Sequence, residues 1–262
     1  MNGRRIALDV DAAGVARLRL AAAERRNSID PAWVTELGEA VERCRSGVRV
    51  LLIGAEGPAF TVGGDLQHFS GRLADLDRAL SEMIPPYHAA LEQIAALEAP
   101  VVAAVRGAIA GGGLGLAWCS DIVIASEDAV FATGFAKLGL SGDGGSSWWL
   151  PRLVGLRRAQ ELLLRNRVLR AAEALDWGLV TEVVPTEAVE ARAEAVASEL
   201  AAGPTHALGH IRRLLRLSAT NTLTEQLAAE AAAARTCGAT ADAREGIAAF
   251  TERRAPRFGG VA

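Results

Sequence analysis

Cysteine is scarce in this sequence and odd in number: Cys44, Cys119 and Cys237 lie far apart in 262 residues. That excludes a disulfide framework and fits reduced thiols in a cytosolic protein. An apolar signal core is missing behind Met1-Asn2-Gly3-Arg4-Arg5, which leads directly into a short alternating strand, so a cytoplasmic location is expected. A membrane-spanning run is missing too. The longest uncharged stretch, residues 107–120, is too short and too rich in glycine to cross a bilayer. Neither sign of charge dominates: 28 Lys+Arg against 31 Asp+Glu leave −3, which gives no reason to expect nucleic acid or a membrane as partner.

Missing motifs narrow the chemistry further. The cluster Gly111-Gly112-Gly113-Leu114-Gly115 fails G-x-G-x-x-G because Leu116 stands in the last glycine position, and it lacks the Lys-Ser/Thr of a phosphate loop. A dinucleotide or nucleotide-triphosphate site is rejected on that ground. No G-x-S-x-G elbow surrounds Ser141 or Ser146, which disfavours a serine hydrolase. His206 and His210 stand i, i+4 apart. Without a third ligand nearby in sequence, or the glutamate of H-E-x-x-H, no metal is expected there.

What the sequence does contain is a globular composition, 50% hydrophobic and 23% charged, with enough length for one large domain or a domain with an appendage. Strand-like runs at 6–10, 15–20, 48–53, 101–105, 122–125, 129–131 and 179–184 alternate with helical patterns. The helical patterns lie at 31–44, 87–97, 114–119, 156–164 and 171–177. Repeated strand–loop–helix units at this spacing predict an α/β fold with largely parallel pairing. Asp30 followed by Pro31 reads as a helix start. Residues 66–86 are polar and carry Pro85-Pro86, so a mobile segment beside the site is expected. Beyond Glu187 only helical patterns remain, and the change from core to helical appendage is placed near residue 195, giving regions 1–195 and 196–262.

Two glycine clusters, 111–115 and 142–145, flank an apolar strand-like segment, and a third bare patch lies at Gly63-Gly64. Backbone N–H groups freed of side chains can approach another group closely. The second cluster carries one carboxylate, Asp143, between apolar residues that include Leu138, Leu140, Trp148 and Trp149, a setting that raises a carboxyl pKa towards that of a useful base. Exposed amides facing one acid fit a site that stabilises developing negative charge and moves a proton. Each element has a plainer alternative: glycine clusters also make tight corners, and a lone aspartate also makes a solvated turn. Gln67 and His68, just past Gly63-Gly64, are either pocket-lining or surface residues.

Several segments, taken in order, make the chain resemble the crotonase (enoyl-CoA hydratase/isomerase) superfamily along almost its whole length. Arg25-Arg26-Asn27-Ser28-Ile29 is similar to the family's adenine-side loop, and 57–66 to its first oxyanion loop. Ala99-Pro100-Val101-Val102-Ala103-Ala104-Val105-Arg106-Gly107 with Gly111-Gly112-Gly113 is similar to the second. Leu150-Pro151-Arg152-Leu153-Val154-Gly155, residues 171–180 and the tail Phe250-Thr251-Glu252-Arg253-Arg254 continue the match. The resemblance implies a spiral of ββα units, a helical tail that builds trimers or hexamers, and a coenzyme A thioester as substrate with no separate cofactor. It implies that the Gly64 and Gly112 N–H groups hold the thioester oxygen, with Val62, Asp65, Leu66, Gly111 and Phe135 among the residues that bind the acyl-CoA. The phosphates of coenzyme A would meet Arg25, Arg26 and Arg253, and Phe250 would pack near the adenine, the tail in some members coming from a neighbouring subunit.

Departures from the pattern refine the expectation. The two glutamates with which hydratases of this family work fall at Gly115 and Phe135 here, so hydration by that route is disfavoured. Asp143 falls where dienoyl-CoA isomerases and the ring-opening isomerases of phenylacetate catabolism carry an aspartate. The resemblance therefore implies double-bond migration with Asp143 as acid and base. The alternatives are hydration or thioester hydrolysis with another base, or a non-catalytic acyl-CoA-binding member.

Overall fold

The computed structural model describes residues 3–259. Its opening hairpin, β1 (Ile6–Val10) and β2 (Val15–Leu20), is antiparallel around Gly14. Asp30 caps α1 (Pro31–Arg43): its carboxylate accepts from the Trp33 N–H at 2.8 Å, and Pro31 occupies the first helical position. Next come β3 (Val50–Ala55), β4 (Ala59–Thr61), α2 (Leu66–Ser70) and α3 (Leu76–Ala96). The pattern repeats with β5 (Val101–Val105), β6 (Ala108–Ala110) and α4 (Leu114–Trp118), then with β7 (Ile122–Ser126), β8 (Val130–Ala132) and α5 (Ser146–Arg165). After β9 (Val168–Arg170), α6 (Ala171–Asp176) and β10 (Glu182–Val184), the chain continues through α7 (Val189–Ala201), α8 (Thr205–Leu217), α9 (Leu223–Gly238) and α10 (Ala241–Glu252).

Each ββα turn sends its first strand to one sheet and its second to another. The larger sheet runs β1-β2-β3-β5-β7-β10 and the smaller β4-β6-β8-β9, with β3/β5, β5/β7, β4/β6 and β6/β8 all parallel. The spiral and the α/β class expected from the sequence are therefore present. The near-continuous apolar runs of β3 and β5 follow from burial on both faces. Leu51, Ile53, Val101, Ala103 and Val105 point into the main core, whereas Val50, Leu52, Val102 and Ala104 face α7. That helix answers with Val189, Ala193, Ala197 and Ala201, a four-residue spacing that puts small side chains on one stripe and lets the helix lie close to the sheet.

Two expectations are corrected by this packing. Residue 195 lies in the middle of α7, all of whose buried stripe rests on the sheet, so the core continues to Ala201. Residues 66–86, expected as a polar, mobile segment, instead form α2, a 3-10 turn at Leu73–Asp75 and the first half of α3. Pro85 and Pro86 each lack an N–H for the helix ladder. The buried face Ala79, Met83, Tyr87, Ala90, Leu91 and Ile94 holds the helix together across them. A third difference is local: the helix expected at 156–164 begins at Ser146 and is interrupted at Gly155, whose φ of 77° is outside the helical range. No described helix is long and apolar enough to cross a membrane.

Candidate active site

The site forms where the loops after β4 and β6 meet. Asn27, fully buried in a left-handed conformation, pins the first loop from below. Its Nδ2 donates to the Glu56 and Ala59 carbonyls at 2.9 Å each, and its Oδ1 accepts from the Ala22 N–H. Residues 26–29 then run beside Val62 to Asp65: the Ile29 N–H donates to Gly63 O at 2.8 Å, and the Asp65 N–H donates to Ile29 O at 2.9 Å. Gly63 has φ +82°, and a Cβ there would lie 2.8 Å from the Ala110 carbonyl, so only glycine lets the two loops touch. Among the described residues the Gly64 N–H finds no protein acceptor. Gly112 sits in a 3-10 turn, Gly111–Gly113, whose first N–H groups have no partner within the turn. Its carbonyl accepts the Tyr87 hydroxyl at 2.6 Å, which fixes the orientation of that peptide. Burial pushes the Tyr87 phenol well above its ordinary pKa, so it stays a proton donor.

A cavity of about 350 Å³ opens between these loops, and Gly64, Gly111, Gly112 and Asp143 all line it. Asp143 is the only carboxylate among its described lining residues. A Cβ on Gly112 would stand 2.6 Å from Asp143 Oδ1, so the carboxylate lies directly against the Gly112 Cα. That oxygen is buried and has no hydrogen-bond partner among the described residues. Burial raises the Asp143 pKa, opposed by the nearby His88. His88 also lines the cavity, and its Nε2 accepts the Gly144 N–H at 3.1 Å. With Nε2 accepting, a neutral ring carries its proton on Nδ1. An unsatisfied carboxylate of raised pKa, next to free amides in an apolar hollow, is chemically suited to take and return a proton while the amides hold an oxyanion.

Val62, Leu66 and Phe135 also line the cavity. The remaining anticipated residues lie elsewhere. Asp65 caps α2 through the Gln67 and His68 N–H groups and pairs with Arg25. Against the opposing effect of burial, these contacts hold its carboxyl below the usual range. Arg25 also bridges Asp30 at 3.1 Å, so two carboxylates neutralise the charge anticipated for a phosphate. Arg26 is exposed and outside the cavity. Phe250 is 87% exposed on α10, and Arg253 ends that helix in a left-handed conformation; neither reaches the cavity within this chain. Gln67 and His68 do not line it either, because the short helix α2 turns Leu66 and Phe69 inward instead. Trp148 and Trp149 line a separate cleft of about 380 Å³ with Arg152 and Arg212, where the Arg152 guanidinium lies 4.0 Å over the Trp148 ring.

Sequence reasoning missed Tyr87 and His88. A signal was present: Leu80, Ile84 and His88 repeat every four residues and all line the cavity, as one face of a helix would. The adjacent prolines concealed it.

The family model described as enoyl-CoA hydratase/isomerase matches residues 11–261. The chain belongs to the enoyl-CoA hydratase/isomerase family. As an enzyme of this family it acts on acyl-CoA. A 1,2-epoxyphenylacetyl-CoA isomerase of Escherichia coli K12 is 37% identical, over 94% of this chain and 95% of that one. A 4-chlorobenzoyl coenzyme A dehalogenase of an Arthrobacter species is 33% identical, over 80% and 77%. The crystal structure of an enoyl-CoA hydratase from Polaromonas sp. JS666 superposes with a TM-score of 0.91 at 32% identity, covering 97% of this chain and 99% of the other. At the two positions where the resemblance places the glutamates of the hydration route, this chain has Gly115 and Phe135. At Gly115 a Cβ would meet Gly144 O at 2.6 Å, Leu91 Cδ1 at 2.7 Å and the Tyr87 hydroxyl at 3.1 Å, which leaves no room for a longer side chain. The second position, Phe135, is a buried wall of the cavity.

Proposed function

We propose that this family member is an isomerase that moves a double bond in an unsaturated acyl-CoA. The Asp143 carboxylate removes a proton from the acyl chain. The electron pair shifts through the conjugated system onto the thioester oxygen, which the Gly64 and Gly112 N–H groups receive. The same carboxyl then returns the proton at another carbon, and the thioester carbonyl re-forms. The observation that carries this reading is that Asp143, the one carboxylate among the described lining residues, is buried, has an oxygen without a partner among them, and is set against Gly112. No water is added, so one acid suffices, and no cofactor beyond the coenzyme A of the substrate is needed. One oxyanion donor contributes roughly 3 kcal/mol to such a transition state. The 1,2-epoxyphenylacetyl-CoA isomerase, and a trans-2-decenoyl-[acyl-carrier-protein] isomerase of Streptococcus mutans that is 31% identical over 99% of this chain, are both named as isomerases, which supports the reaction class.

With Arg25 already paired, Arg26 and Arg253 are the cations we assign to the coenzyme A phosphates. Ile247 and Phe250, both strongly exposed on α10, support a trimer or hexamer in which this helix meets a neighbouring subunit. A second reading is favoured by His88: a histidine facing the carboxylate is the second base that activation of a water would require. Incubating enoyl-CoA thioesters with the protein in heavy water separates the two. Isomerisation gives a product of unchanged formula, apart from deuterium exchanged into the acyl chain. Addition of water or release of free coenzyme A with no isomer formed would refute the isomerase reading.

A further inference from the structure

We infer that His206, His210 and Cys237 form a binding site for a divalent cation of the zinc class. The sequence offers only the histidine pair on one face of α8; the fold supplies the third ligand. α9 follows α8 after a short turn and packs against it, which places Cys237, in its last turn, beside the two imidazoles. The ligand atoms of the three side chains all lie within 4.8 Å of one another. The two rings stand 4.7 Å apart at 78°, edge to face, so both can present a nitrogen to a common point.

A tetrahedral ion with Zn–N of about 2.0 Å and Zn–S of about 2.3 Å holds such ligand atoms roughly 3.3–3.7 Å apart. Closing the cluster takes about 1 Å of movement, within reach of side-chain rotations because all three residues are half-buried. The Glu98 carboxylate lies 3.7 Å from His206 Nδ1 and is itself exposed. It is placed to orient that ring, as carboxylates do beside metal-bound histidines, or to complete the coordination. Two imidazoles, one thiolate and one carboxylate within reach are the ligand chemistry of zinc rather than of magnesium or calcium, which take oxygen donors. The ion would tie α8 to the end of α9. None of these residues lines the acyl-CoA cavity, so the inference does not rest on the proposed reaction.

The test uses the full-length protein, reduced and stripped with a chelator, titrated with Co²⁺ as an optical stand-in for zinc. The expected result is about one equivalent per chain with a thiolate-to-cobalt charge-transfer band, which Zn²⁺ then displaces. Cys237→Ser should remove the band, and His206→Ala or His210→Ala should each weaken Zn²⁺ binding by about 100-fold or more, given that even outer partners cost 10–100-fold. Cys44→Ser, at a buried residue elsewhere in the core, should leave both unchanged. A measurement on the unmutated chain guards against misfolded variants: Zn²⁺ should slow alkylation of Cys237 at least about 10-fold, as metal ligation removes the thiolate from reaction. No stoichiometric cobalt binding, a charge-transfer band that survives Cys237→Ser, or alkylation at the same rate with and without Zn²⁺ would each overturn the inference.

Discussion

Asp143→Asn is expected to lower the turnover of double-bond migration by about a thousand-fold, in the range of what a positioned acid–base group contributes. The substitution keeps the volume of the side chain, so substrate affinity should change little and the loss should lie in kcat. The same variant should be more stable than the parent at neutral pH. Burial raises the Asp143 pKa in the folded chain, which means that the ionised carboxylate is less at ease folded than unfolded. Above the raised value the group is charged in both states and that cost is fully present. Below the ordinary carboxylate range it is neutral in both, and the cost is gone. The stabilising advantage of asparagine should therefore shrink as pH falls through that window, a trend that thermal unfolding midpoints measured across pH can follow. The parent enzyme's kcat should fall across the raised pKa as the base becomes protonated. A pH-independent stability difference would show that the carboxylate carries no such burden.

Gly112→Ala is the second large effect. Gly112 lacks the positive φ that marks a strained position, so alanine fits the backbone. Its methyl group, however, would arrive 2.6 Å from Asp143 Oδ1 and 3.2 Å from Oδ2. The end of the aspartate can rotate away at small cost, so the fold survives while the base is turned from the substrate and the neighbouring amide is crowded. A 10²–10³-fold loss of kcat is expected, comparable to removal of an oxyanion donor, with the unfolding midpoint nearly unchanged. Gly113→Ala is the contrasting control: a Cβ there falls 2.2 Å from Thr61 Cγ2, a fully buried side chain, so stability and activity should be lost together.

The elements that the sequence predicts well are those whose local chemistry and tertiary burial agree. β3 and β5 are apolar throughout because both faces are covered, and α1 begins at Asp30 because the cap and Pro31 are local devices. Gly64, Gly112 and Asp143 stood out in the sequence as bare backbone and one acid among apolar residues, and the fold sets all three around one cavity. Long-range facts were not. Pro85-Pro86 reads locally as a break, yet the buried stripe of α3 outweighs two missing ladder bonds, and this hid Tyr87 and His88. Arg25 reads as a free cation until the fold brings Asp30 and Asp65 to it. Cys237 is 27 residues beyond His210 in sequence and meets it only because α8 and α9 pack side by side. The end of the core at Ala201 rather than 195 is set by which face of α7 the sheet covers, something its helical pattern does not show.

The proposed reaction requires that one thioester oxygen be received by two main-chain amides beside the Asp143 carboxyl. A crystal structure of the Asp143→Asn protein with an unsaturated acyl-CoA bound tests it most directly. The thioester oxygen should lie about 2.7–3.1 Å from both the Gly64 and Gly112 nitrogens, with the residue 143 side chain over the acyl carbons that exchange protons. A thioester that lies elsewhere, or that touches only one of the two amides, would contradict it.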